Sequence, residues 1–224
     1  MDKGEFKDAA RAQVSLLAPI EKKCLIWLAE RMPAWLNSDH LTIIGFVAMV
    51  MAGLSYWLAR WDRTALLLVI VWLAVNWFGD SLDGTLARVR NKLRPRYGFY
   101  VDHVIDAVGT FFLLAGIGLS GYQSPFVALG LIIAYFLVSI EVYLATYTLG
   151  TFRLSHFKFS PTELRILLSI GNLVVLYRPT VHLFGHELRL FDVGGVIGIA
   201  GLVLIFLTSA VKNTIALYRA ERIT

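Results

Sequence analysis

Four aspartates, Asp80, Asp83, Asp102 and Asp106, fall in GDSLDGTLARVRNKLRPRYGFYVDHVID, residues 79–106, where two of the most apolar segments of the chain meet. Charge inside or beside a membrane-spanning helix is costly, so an ionisable cluster there marks a candidate functional site. Asp80, Asp83, Gly84, Ala87 and Arg88 follow the spacing i, i+3, i+4, i+7, i+8, which is one face of a helix. Gly98, Asp102 and Asp106 recur at every fourth residue of the next helix. A short basic loop containing Pro95 joins the two, which predicts an antiparallel pair with these faces opposed. Four carboxylates gathered this way repel one another, and a divalent cation is the direct remedy. An all-oxygen ligand set favours Mg²⁺, Mn²⁺ or Ca²⁺ over zinc. One Mg²⁺ prefers one or two carboxylates plus water and phosphate, so four acids suit two ions better. Ion pairs of that kind stabilise the attacking and leaving oxygens in displacement at phosphorus.

The other residues of the two faces fit the same chemistry. Gly84 and Gly98 leave room for a bulky ligand against the backbone, and Arg88 is placed to meet a phosphate through charge-assisted hydrogen bonds. Each piece also has a plainer reading. A lone intramembrane Asp pairs with a nearby cation, glycines allow close helix packing, and Arg88 neutralises Asp83 or reaches for the interface. Four acids, two glycines and an arginine on facing sides of one hairpin are poorly explained by packing.

The elements that must position this set are membrane elements. Hydrophobic residues make up 57% of the 224 and charged residues 17%, against about 25% charged in a soluble domain. Apolar windows long enough to span a bilayer fall near 41–60, 64–90, 97–121, 125–149, 161–177 and 192–217, the fifth being short and charged at its start. The expectation is therefore an all-α integral membrane protein with six transmembrane helices forming one domain over 1–224. Residues of about 10–34 set Val14, Leu17, Ile20, Leu25 and Leu28 against Glu21, Lys22, Lys23 and Arg31, with Trp27 and Trp35 as anchors. That pattern predicts an amphipathic helix lying in the headgroup region ahead of the bundle. The start of the chain has no apolar core suited to a signal peptide.

Charge sets the expected orientation. RVRNKLRPR holds five Arg or Lys, and the segments around FRLSHFK and KNTIALYRAER are also basic, whereas SGYQS is uncharged. The positive-inside rule then puts both termini and the 91–96 and 150–160 loops in the cytoplasm. The net charge of +5, gathered beside a membrane, favours anionic lipid or phosphate and not nucleic acid. The single Cys24 excludes an internal disulfide.

DSLDGTLAR, nine residues, then GFYVDHVID is similar to the signature of the CDP-alcohol phosphotransferases, D-x-x-D-G-x-x-A-R, a spacer of eight or nine, then G-x-x-x-D-x-x-x-D. Asp80, Asp83, Gly84, Ala87, Arg88, Gly98, Asp102 and Asp106 match all eight fixed positions. The resemblance extends to the six-helix plan, the preceding interfacial helix and the length. It implies transfer of a phosphoalcohol unit from a CDP-linked donor to an alcohol, with release of CMP. It implies that Asp80, Asp83 and Asp102 hold a pair of Mg²⁺ or Mn²⁺ ions on the donor pyrophosphate. Asp106 would share in metal binding and act as the base for the acceptor hydroxyl, with Gly84, Gly98 and Arg88 on the nucleotide side. The family motif P-N-x-L-T is replaced by SDHLT, so Thr42 matches while Ser38 and Asp39 depart from it. Thr42 is the stronger nucleotide contact and Asp39 the weaker. Homodimers are usual in the family.

The compact size resembles the enzymes that use CDP-diacylglycerol and a small polar alcohol, in a bacterial or archaeal inner membrane with the site facing the cytoplasm. An alternative within the family is an aminoalcohol phosphotransferase using CDP-choline or CDP-ethanolamine with diacylglycerol. SPTELR, residues 160–165, somewhat resembles a G-P-T-E stretch of those enzymes, and Glu141, Tyr143 and Tyr147 offer surroundings for an ammonium. The plainer expectation for Glu141 is pairing with Arg165. Arg153, Arg165, Lys212 and Asn213 are the polar candidates for reading the acceptor. A reading of another class, a cation channel or transporter, wants acids at the midplane and helices broken by Gly or Pro, and neither stands out.

Overall fold

The computed structural model describes residues 18–149, 161–183 and 185–222. Val14 and Leu17 of the expected interfacial helix, and the 150–160 loop with Arg153 and Ser155, lie outside the described residues. The element order is α1 (Ala18–Arg31), α2 (Ser38–Leu58), α3 (Ala65–Val89), α4 (Pro95–Leu119), α5 (Pro125–Leu149), α6 (Pro161–Tyr177), β1 (Thr180–Leu183), β2 (His186–Arg189) and α7 (Leu190–Ala220). Pro95, Pro125 and Pro161 each open a helix, where a fixed φ and a missing N–H cost nothing. Five helices, α2, α3, α4, α5 and α7, are long and apolar enough to cross a membrane. The 17-residue α6 is shorter than these.

Two features depart from a purely helical reading. Residues 180–189, expected only as an outer connection, form an antiparallel hairpin that pairs Thr180 with Arg189 and Leu183 with His186. Its turn uses Gly185 at φ 80°, a backbone region that glycine enters without penalty. At the other end of the bundle Asn91 sits at φ 53° in the α3–α4 turn, a conformation that Asn tolerates better than most residues.

Helix packing places the site. Apolar lipid tails give no hydrophobic drive for helices to associate, so close van der Waals approach has to hold them. A Cβ added to Gly79 of α3 would stand 2.6 Å from the Leu41 carbonyl of α2, and one on Gly45 would stand 3.1 Å from the Asp80 nitrogen. The α2 and α3 backbones therefore touch at the first aspartate. Gly53 and Gly116 bring α2 against α4 in the same way. Around these crossings Ala52, Tyr56, Leu66, Val69, Leu73, Leu113 and Ile117 form a buried core. Outward-facing Val71, Val104, Ile140 and Leu204 remain exposed, as side chains facing lipid would.

In the described part of α1 Leu25 and Ala29 are buried, whereas Ile20, expected on the apolar face, is exposed and Glu21, expected on the polar face, meets Trp77 and Thr162 of the bundle. Its inner face joins Leu36, Leu41, Leu82 and Leu86 in a second cluster against α2 and α3. Arg90, just past α3, donates to the Met32 and Pro33 carbonyls at 2.9 Å and also to Leu36. That guanidinium ties the turn after α1 to the end of α3.

Candidate active site

Four helix ends meet at the site. Asn37 caps α2: its side chain accepts from the His40 amide at 3.2 Å, and His40 Nδ1 accepts from the Asn37 amide at 3.3 Å. This reciprocal cap fixes the first turn of α2, which carries Asp39 and Thr42. The last three turns of α3 carry Asp80, Asp83, Gly84 and Arg88, and the early turns of α4 carry Gly98, Asp102 and Asp106. The fourth contributor is α6, whose second turn brings Arg165.

Asp80, Asp102 and Asp106 each offer a carboxylate oxygen within 4.8 Å of the others. Asp83 lines the same cleft but stands outside that trio. Its Oδ2 accepts from Thr42 Oγ1 at 2.7 Å, and its Oδ1 meets the Gly84 amide. Thr42 thus touches an aspartate of the motif directly, a contact 41 residues long that helical spacing does not reveal. The rest of the cleft wall includes Phe46, Met49 and Ile105, so one side is apolar. The trio supplies only oxygen ligands, which fits a hard divalent cation and not zinc.

The aspartates are also anchored from beneath. Arg165 donates through Nη2 to Asp80 Oδ2 and through Nε to Asn76 Oδ1 at 2.7 Å. Asn76 in turn donates to the Gly45 carbonyl at 2.9 Å, across the glycine crossing. The expected pairing of Arg165 with Glu141 is therefore corrected: Glu141 accepts from Asn213 Nδ2 at 2.6 Å. Arg165 goes to Asp80 because α6 packs on α3, whereas α5 packs on α7. The sequence pointed to Arg165 as a partner for Glu141 or a reader of the acceptor and did not single out Asn76, because neither contact is local.

Gly84 and Gly98 have nothing within 4 Å of an added Cβ. Close packing does not account for them, in contrast to Gly45, Gly53, Gly79 and Gly116. Arg88 is exposed at the end of α3. Asp39 pairs with Arg94, which also stacks on Tyr97 at 4.3 Å, so the residue that departs from the motif is tied to the basic α3–α4 turn. His103, between the two acids of α4, contacts the Phe99 carbonyl at 2.7 Å through Nδ1 and packs edge-on against Tyr143.

The suggested ammonium surroundings do not form. Glu141 faces α7 through Asn213, Tyr143 faces α4 through His103, and Tyr147 is 89% exposed. Residues two apart on a helix point to nearly opposite sides, which explains the divergence. Of the remaining acceptor candidates, Lys212 is exposed on α7.

This helical membrane-type fold, with an aspartate cluster on one hairpin, is matched by the model of the CDP-alcohol phosphatidyltransferase family over residues 35–209. The chain belongs to that family. It is 26% identical over 212 residues to cholinephosphotransferase 1 of Gallus gallus, covering 88% of this chain and 61% of the relative. It is 36% identical over 86 residues to the archaetidylinositol phosphate synthase of Pyrococcus horikoshii, covering 38% of this chain and 43% of the relative. Human cholinephosphotransferase 1 matches at 30% over 111 residues, or 47% of this chain and 27% of the relative. The chain thus spans about six-tenths or less of the curated relatives it matches.

Proposed function

We propose that this chain is a phospholipid-synthesising enzyme that transfers a phosphatidyl group from CDP-diacylglycerol to a small polar alcohol and releases CMP. The observation that carries the reading is the trio Asp80, Asp102 and Asp106 at the end of the α3–α4 hairpin, with the apolar wall of Phe46, Met49 and Ile105 beside it. A lipid-linked pyrophosphate and a polar alcohol both suit a cleft of that character. Asp80, Asp83, Asp102 and Asp106 would hold Mg²⁺ or Mn²⁺, in two sites by family resemblance, supplying positive charge to the phosphate oxygens during displacement. Asp106, by family resemblance, takes the proton of the acceptor hydroxyl. Thr42 holds Asp83 in orientation, while the open backbone at Gly84 and Gly98 and the exposed Arg88 receive the nucleotide side, with Asp39 at its edge. Arg165 balances part of the negative charge and fixes Asp80.

The proposal includes one membrane domain with six crossings, α6 being the short one, and α1 in the headgroup region. It includes a homodimer in a bacterial or archaeal inner membrane with the cleft facing the cytoplasm. Single reporter cysteines test the orientation in a Cys24→Ala background. Arg63 and Lys92 are exposed in the turns at the two ends of α3. Lys92→Cys is expected to label with a membrane-impermeant maleimide only from the cytoplasmic side, and Arg63→Cys only from the outside. The reverse pattern would turn the cleft away from the cytoplasm and overturn that part of the reading.

A second reading is favoured by one observation, the 88% coverage of this chain by the Gallus gallus cholinephosphotransferase. In that reading CDP-choline or CDP-ethanolamine is the donor and diacylglycerol the acceptor. A donor panel separates the two. CMP release with CDP-diacylglycerol and an alcohol series, but not with CDP-choline and diacylglycerol, is the expected result. The opposite pattern reverses the lipid partition, and no CMP with either donor would overturn both donor assignments.

A further inference from the structure

We infer that Glu21, on the helix ahead of the bundle, is a positioning residue that sets how Arg165 meets Asp80. Glu21 Oε1 accepts from Trp77 Nε1 of α3 at 2.8 Å and from Thr162 Oγ1 of α6 at 2.6 Å. Trp77 lies three residues before Asp80, and Thr162 lies three residues before Arg165. One carboxylate oxygen therefore joins the two helices within a turn of the contact between Arg165 and Asp80.

The first half of α6 is tied to its neighbours through polar side chains. Leu164, Ile166 and Leu167 are exposed, and the apolar contacts of the helix begin at Leu168 and continue at Val175 and Leu176. Ahead of Leu168, polar contacts tie it to other helices, among them Thr162 to Glu21, and Arg165 to Asn76 and Asp80. Glu21 itself is fixed, because Leu25 one turn later is buried with Leu82 and Leu86 against α3. Both donors to Glu21 are neutral, so the role needs an acceptor oxygen and not a charge. Glu21→Gln keeps that oxygen, and Glu21→Ala removes it.

The inference rests on Asp80 serving the site, and its test separates the two. Full-length protein in lipid nanodiscs is compared as wild type, Glu21→Ala, Glu21→Gln, Thr162→Val and Asp80→Asn, with Glu21→Ala also made on Arg165→Lys. Amide exchange over 162–168 is expected to quicken about tenfold in Glu21→Ala and in Thr162→Val, the scale of one or two lost hydrogen bonds. It should return to wild type in Glu21→Gln, while the amides of α1 keep their protection throughout. CMP release should fall about tenfold in Glu21→Ala, recover in Glu21→Gln, and change less than twofold when the alanine is added to Arg165→Lys. Unchanged exchange over 162–168, or loss of protection along all of α1, would overturn the inference, as would an undiminished effect on the Arg165→Lys background. Full CMP release by Asp80→Asn would defeat the reading of the site instead, and the exchange data would still decide the tether.

Discussion

Asp102→Ala is expected to abolish divalent-cation binding and CMP release together. Asp102 is one of three residues whose carboxylate oxygens lie within 4.8 Å of one another. Without it only Asp80 and Asp106 remain of that trio, and Asp80 already accepts from Arg165. Asp83, held in its own place by Thr42 and the Gly84 amide, cannot move into the position that Asp102 leaves. Partners that merely orient a metal ligand cost about 10–100-fold in affinity or activity when removed, so losing a ligand itself should exceed that range. Mn²⁺ binding followed by electron paramagnetic resonance and CMP release by single turnover are measured on the same preparation. Asp83→Ala should lose both properties as well, and excess chelator should silence the wild type. Full turnover in chelator, or wild-type Mn²⁺ affinity in Asp102→Ala, would remove the metal from the reading.

The grouping of these acids at one hairpin was legible in periodicity, for a physical reason. Asp80, Asp83 and Gly84 share one helical face and Gly98, Asp102 and Asp106 another, and the turn at 90–94 is too short to do anything but oppose them. Helix ends were legible for the same kind of reason: Pro95, Pro125 and Pro161 start helices where the apolar runs begin. Contacts between distant helices left no such mark. The partner of Arg165 is set by α6 lying on α3, and a one-dimensional pattern offered Glu141 as an equally charged choice. Asn76 and Glu21 were invisible as site supports because each is one polar residue in an amphipathic or apolar run, given meaning only by the Gly45–Gly79 crossing and by α6. Glycines were legible in type but not in purpose. Gly79 is needed for backbone contact and Gly84 leaves open space, a difference that depends on what lies opposite. The hairpin at 180–189 was hidden because four-residue strands flanking a single turn carry too little alternation to stand out.

Asp106→Asn should separate proton transfer from donor binding. The change keeps the size and one oxygen ligand but removes the negative charge and the proton acceptor. Asp80, Asp83 and Asp102 remain in the cleft, so the CDP-linked donor should still bind with metal present. Turnover should fall by about 10²–10⁴, the usual worth of a positioned acid–base group. Asp80→Asn should behave differently. Its carboxylate belongs to the same trio and also receives Arg165, so the amide there weakens a ligand and frees the guanidinium at once. Donor affinity should therefore drop before any chemistry is measured. Titration of donor binding and single-turnover CMP release, run on both variants at saturating Mg²⁺, distinguish the two cases. Asp80 is the less suited of the two to take a proton, because its carboxylate already accepts from Arg165. Equal loss of donor binding in the two variants would make Asp106 a fourth ligand only, and the base would then have to be a group delivered by the acceptor or by water.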